Sequence, residues 1–101
     1  MAPLLERDWQ PKLIKTLGIL FPGAVIFKVD AGQIQMQGFP DLVILWRDRW
    51  AVLETKRADG SARRPNQEWY VKSLNEMSFS AFISPDNEQD VLDALQQAFR
   101  T

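Results

Sequence analysis

With 101 residues and a net charge of −1, the chain reads as one small domain spanning 1–101, and binding nucleic acid through overall positive charge is excluded. Hydrophobic residues make up 46%, with four Trp and six Phe, which supports a packed core and argues against a disordered tail. Neither cysteine nor histidine occurs, so disulfides, thiolate or imidazole metal sites and histidine bases are excluded; any catalysis rests on carboxylates, lysines and hydroxyls. The apolar run from Leu17 to Phe27 is broken by Pro22-Gly23 and is too short for a bilayer, so the expectation is a soluble, intracellular, cytoplasmic protein with no membrane partner.

In chain order, Trp9, Leu13, Ile14 and Leu17 lie at helical spacing. Pro11 lacks an N–H and suits only a first turn, which predicts regular helix from about Asp8 with Glu6 at its mouth. Pro22-Gly23 predicts a turn and Ala24 to Val29 a strand, ended by Asp30-Ala31-Gly32; Gln33 to Gln37 is polar and reads as loop or irregular extension. Gly38 to Arg57 then reads as a β-hairpin with Arg47-Asp48 at its tip. Ala58 to Arg64 is a loop of glycine, serine and arginine. A helix follows from Pro65 to about Met77, predicted to bury Trp69, Val71 or the stem of Lys72, Leu74 and Met77; Trp69 reads as core in preference to a base-stacking platform. Ser78 to Ile83 is a short strand. Ser84-Pro85-Asp86 offers a cap, a proline for the first helical position and a carboxylate near the positive helix end, and the last helix buries Val91, Leu92, Leu95 and Phe99.

The hairpin carries the chemistry. Alternation places Asp41, Val43 and Leu45 on one face and Trp50, Val52, Glu54 and Lys56 on one face of the return strand. If Trp46 pairs with Arg49, Asp41 falls opposite Glu54; a register slipped by two puts it opposite Lys56. The other face, Leu42, Ile44, Trp46, Ala51 and Leu53, is apolar too, so the hairpin is expected at the centre of a sheet. Two converging carboxylates make an oxygen site for Mg²⁺ or Mn²⁺, and a backbone carbonyl such as that of Thr55 can add a ligand. Lys56, about 7 Å along the strand from Glu54, is near enough to hold a metal-bound water. That set suits phosphodiester hydrolysis; an ordinary ion pair between Lys56 and either carboxylate accounts for the same residues and stays open. Arg57, Arg63 and Arg64 lie beside the cluster as candidate phosphate contacts or as surface charge.

Pro40-Asp41 before one apolar strand and Glu54-Thr55-Lys56 closing the next resemble the PD-(D/E)xK nuclease superfamily. The resemblance sharpens to the virus-type replication-repair nuclease (VRR-NUC) family: Gly38-Phe39-Pro40-Asp41-Leu42, then the Glu-x-Lys strand, then Gln67-Glu68-Trp69 opening a helix, over about Glu6 to Leu95. It implies a restriction-endonuclease-like α/β fold in the order αβββαβα, a mixed central sheet flanked by helices. It also implies Asp41 and Glu54 as metal ligands, Lys56 as catalytic lysine, and Gln67 and Glu6 as auxiliary residues. The Gln-x-x-x-Tyr pattern of related exonucleases is not met, since Val71 stands four residues after Gln67. Small stand-alone members resemble phage-type Holliday-junction resolvases acting as homodimers in DNA repair. The expectation is therefore a Mg²⁺- or Mn²⁺-dependent, structure-selective DNA endonuclease on branched DNA. The alternatives are a flap, nicking or restriction-type nuclease, or a nuclease-fold module that binds nucleic acid without cutting.

Overall fold

The computed structural model describes residues 6–30, 36–57 and 63–100, without the side chains of Glu6 and Arg7. The elements run α1 (Glu6–Leu20), β1 (Val25–Lys28), β2 (Leu42–Trp46), β3 (Arg49–Thr55), α2 (Pro65–Met77), β4 (Phe79–Ile83) and α3 (Glu88–Arg100). The fold is α/β: among the described residues, three helices and a four-stranded mixed sheet in the order β1-β2-β3-β4. The first three strands form an antiparallel meander, and β4 returns parallel to β3 after α2. A parallel return requires a crossover, which α2 supplies. The hairpin therefore occupies the two central strands, as its two apolar faces predict.

One face of the sheet carries the core. Leu42, Ile44, Ala51, Leu53 and Ile83 are fully buried there, against Trp9, Leu13, Leu17 and Phe21 from the α1 side and Val91, Leu92, Leu95 and Phe99 from α3. Both helices present one apolar line at spacings of three and four residues, which is why their core residues were readable from periodicity. At the hairpin tip Trp46 stacks on Phe99, centroids 5.9 Å apart, and both meet Phe21. The Trp46 indole donates to the Pro22 carbonyl at 2.9 Å. Arg47 takes a φ of 59°, the positive value that two-residue hairpin loops demand, and its guanidinium lies over Trp46.

Three local expectations are corrected. Helix α1 begins by Glu6, not at about Asp8, so Pro11 lies inside it. Tertiary contacts on the amino side of the proline hold that turn: Trp9 donates to Glu88 at 2.7 Å, and Gln10 is buried in a hydrogen-bonded network described below. Helix α2 buries none of its residues: Trp69 is 64% and Met77 72% exposed. At about 100° per residue, Gln67, Tyr70, Val71 and Leu74 form the inward line, and Trp69 lies about 200° round from Gln67; Met77 lies within about 20° of Tyr70 on the wheel but is the last residue of the helix. Helix α3 starts at Glu88, not at Pro85. Ser84 and Asn87 form a turn first, with Ser84 N donating to Asn87 Oδ1 at 2.7 Å and Asn87 N to the Ser84 carbonyl at 3.2 Å. The readings for residues 31–35 and 58–62 lie outside the described residues. No described helix is long and apolar enough to cross a membrane.

Candidate active site

The register pairs Trp46 with Arg49 and runs to Leu42 with Leu53, so of the two predicted registers the one that sets Asp41 against Glu54 is adopted. Asp41 lies one residue before β2, in a bend, and Val29 N donates to its carbonyl at 2.8 Å. Pro40 before it is fully buried, which fixes the chain where the carboxylate leaves the sheet. Asp41 Oδ1 accepts the Thr55 backbone N–H at 3.0 Å; Oδ2 accepts the Thr55 hydroxyl at 2.5 Å and the Gln10 amide at 3.2 Å. Gln10 Nε2 also donates to Thr55 Oγ1 at 3.0 Å, closing a network between α1, the bend before β2 and the end of β3.

Glu54 is 7% exposed and, with Asp41, lines a cleft of about 1100 Å³ at the end of the sheet. Gln10, Lys28, Asp30 and the first turn of α2, Pro65 to Gln67, complete much of its wall. Thr55 turns its N–H toward β2, and a strand residue directs its N–H and C=O to the same neighbour, so its carbonyl faces the Asp41 side as well. The donors in reach are thus all oxygen, two carboxylates and a backbone carbonyl, the set a hard divalent cation takes with water or phosphate filling the remaining positions. Among the described residues no three acidic side chains come together as a ready cage. The Glu6 side chain, the expected auxiliary acid, lies outside the described atoms.

Lys56 follows on the same face of β3 as Glu54. Its Nζ donates to Gln67 Oε1 at 2.7 Å, and the same oxygen accepts the Arg64 N–H at 3.1 Å at the start of α2. Gln67 therefore ties the lysine to a helix N-terminus. The three predicted arginines divide: Arg64 lines the cleft, while Arg57 and Arg63 line a neighbouring depression with Lys56, where Arg63 lies 4.1 Å over the Phe82 ring.

Among the cleft residues that escaped the sequence reading are Lys28 and Gln10. Lys28 closes an edge strand and carries no motif. Gln10 had a signal: it stands three residues before Leu13 and seven before Leu17, so a polar residue occupies the amino end of the buried line of α1.

Gly38 holds the cleft's far wall close to α2. Its φ is +88°, and an added Cβ would lie 2.5 Å from Asn66 Cβ and 3.1 Å from Gln67 N. Gly38→Ala is therefore expected to lower stability by about 1–3 kcal/mol, from the left-handed backbone and the overlap together, and to displace the first turn of α2. Denaturant unfolding checks this; an unchanged midpoint would show that the bend before Asp41 yields freely.

Comparison of the chain with models of protein families, with curated proteins and with solved structures found no match. The chemistry of the site therefore rests on its own residues.

Proposed function

We propose that this protein is a metal-dependent DNA endonuclease of the PD-(D/E)xK type, with the VRR-NUC family as the group it resembles. The observation that carries the reading is the cleft itself: Asp41 and Glu54 line one space, with Lys56 on the strand face of Glu54 and Lys28 and Arg64 in the wall. Asp41, Glu54 and the Thr55 carbonyl would hold Mg²⁺ or Mn²⁺. When bound, such an ion neutralises phosphate charge and makes water more acidic. Lys56, steadied by Gln67, donates to the attacked phosphate or to the attacking water and offsets the negative charge that builds during hydrolysis. Lys28, Arg57, Arg63 and Arg64 hold backbone phosphates, which needs local positive charge and no sequence readout. Glu6 is the proposed auxiliary acid.

Branched DNA is the proposed substrate and a homodimer the proposed assembly, as in a Holliday-junction resolvase, within a bacterial or phage-infected cell. Two cuts on a four-way junction call for two sites related by a two-fold axis. In favour of pairing, Val25, Phe27 and Leu45 leave an exposed apolar strip on β1 and β2, with Val25 opposite Leu45 and Phe27 opposite Val43. A second reading, a module that binds nucleic acid without cutting, is favoured by the Asp41 carboxylate, whose two oxygens are engaged by three protein donors.

The deciding experiment digests supercoiled, flap and four-way-junction DNA with Mg²⁺, Mn²⁺ or EDTA, alongside sedimentation at micromolar protein. Cleavage with either ion and none in EDTA, faster on the junction than on matched duplex, by a species of twice the chain mass, is expected. No cleavage of any substrate would leave the binding module standing. A monomer that cuts junction and duplex equally would remove the dimer and the branch preference while keeping the nuclease.

A further inference from the structure

The largest exposed aromatic surface of the described chain stands beside the cleft. A tryptophan 64% open to water on an otherwise ordinary helix turn is uncommon, because burying such a ring contributes strongly to folding. Trp69 lies one turn beyond Asn66, which lines the cleft. It meets Tyr70 edge-on at 5.0 Å, and Tyr70 meets Phe39 edge-on at 5.4 Å. Phe39 stands two residues before Asp41. A row of three rings thus runs from the cleft wall outward and ends in an indole with most of its surface free. A surface depression of about 420 Å³, lined by Met36, Gln37, Asn66, Trp69 and Tyr70, shares Gln37 and Asn66 with the cleft.

We infer that Trp69 is a stacking platform for an unpaired nucleobase of the strand whose phosphates enter the cleft; this rests on the nuclease reading for the direction of that strand, not for the stacking itself. The chemistry of the adjoining wall favours this occupant over an apolar partner. It carries Lys28 and Arg64, which suit phosphates, beside the carboxylates Asp30, Asp41 and Glu54, and cations next to exposed aromatic rings are the combination by which proteins hold single strands. A paired base inside a duplex has both faces covered by its neighbours and cannot meet the indole, whereas a flap, a gap or a junction arm presents a free base face. The neighbouring rings favour stacking as well. Tyr70, braced on Phe39, limits the tilt of Trp69, so less motion has to be frozen when a base arrives.

The test measures anisotropy of a labelled single-stranded oligonucleotide and of a blunt duplex in EDTA, for the wild-type chain, Trp69→Ala and Trp69→Phe. Trp69→Ala is expected to weaken single-strand binding about tenfold, with the duplex changed by no more than about twofold. The salt dependence should keep its slope because no charge is removed. Trp69→Phe should recover most of the loss. Thermal unfolding of both variants should match the wild type, since the side chain is largely outside the core. Equal single-strand affinity of Trp69→Ala and wild type overturns the inference. So does an equal loss on both substrates, and so does a change of sedimentation with affinity unaltered, which would mark Trp69 as a subunit contact. Metal-dependent cleavage with Trp69-independent single-strand binding sinks the stacking site alone. Trp69-dependent binding without metal-dependent cleavage sinks the nuclease reading alone, and no binding to either DNA together with no metal-dependent cleavage sinks both.

Discussion

Glu54→Gln is expected to lower metal-dependent DNA cleavage by about a thousandfold while leaving the fold intact. The size follows from the several kcal/mol that a bound divalent ion contributes to stabilising the charge of phosphate hydrolysis, at about 1.4 kcal/mol for each factor of ten. The substitution keeps volume and one acceptor oxygen at a position buried to 7% exposure, so the packing around the side chain is preserved. Asp41→Ala should match the loss of activity and add a loss of stability. It removes the acceptor of the Thr55 N–H, the Thr55 hydroxyl and the Gln10 amide at once, and Gln10 and Thr55 are both buried. Leaving buried donors unmet costs about 1–3 kcal/mol each. Calorimetric Mn²⁺ titration with cleavage kinetics checks the first effect, and thermal unfolding the second. Full cleavage by Glu54→Gln would end the assignment of that carboxylate; full stability of Asp41→Ala would mean that water replaces the carboxylate in the network.

Lys56→Ala should separate binding from turnover. An ammonium does not ligate a cation, so Mn²⁺ affinity should stay within about twofold, while turnover falls by about a hundred- to ten-thousandfold, the usual span for losing a group that handles a proton or offsets developing charge. Gln67→Ala should produce a smaller loss of the same kind. It leaves the ammonium in place but frees it from the helix start, and the misplacement of a catalytic group costs rate without removing the group. Restoring an amide oxygen with Gln67→Asn tests reach: the shorter side chain should rescue little. If Mn²⁺ affinity collapses in Lys56→Ala, the lysine is structural to the ion site and does not serve turnover.

Local periodicity was sufficient for much of this molecule. Alternation over Leu42 to Thr55 foretold a central hairpin with its tip at Arg47-Asp48 and left two registers, Asp41 opposite Glu54 or opposite Lys56, of which the structure adopts the first. The buried line of α3, Val91, Leu92, Leu95 and Phe99, was readable because a helix repeats its geometry every few residues and needs no knowledge of its neighbour. The φ of +88° at Gly38 and the approach of Asn66 to it, by contrast, came only with the structure.

What only the tertiary structure decided was which surfaces are covered. Hydrophobicity made Trp69 look like core, but α2 presents Gln67, Tyr70, Val71 and Leu74 inward, because the crossover between β3 and β4 sets the helix's rotation over the sheet; Met77, at the helix's end, is exposed as well. Pro11 argued for a late helix start, yet the burial of Trp9 and Gln10 holds α1 regular from Glu6. Gln10 reaches Asp41 across 31 residues and Lys56 reaches Gln67 across 11, and no window of sequence reports such contacts. By itself the chain determined the strands, the turn and the residue types that can do chemistry. The packing of α1 and α2 at the end of the sheet decided which of those residues share one cleft, because long-range contacts select among faces that local propensity leaves equally favourable.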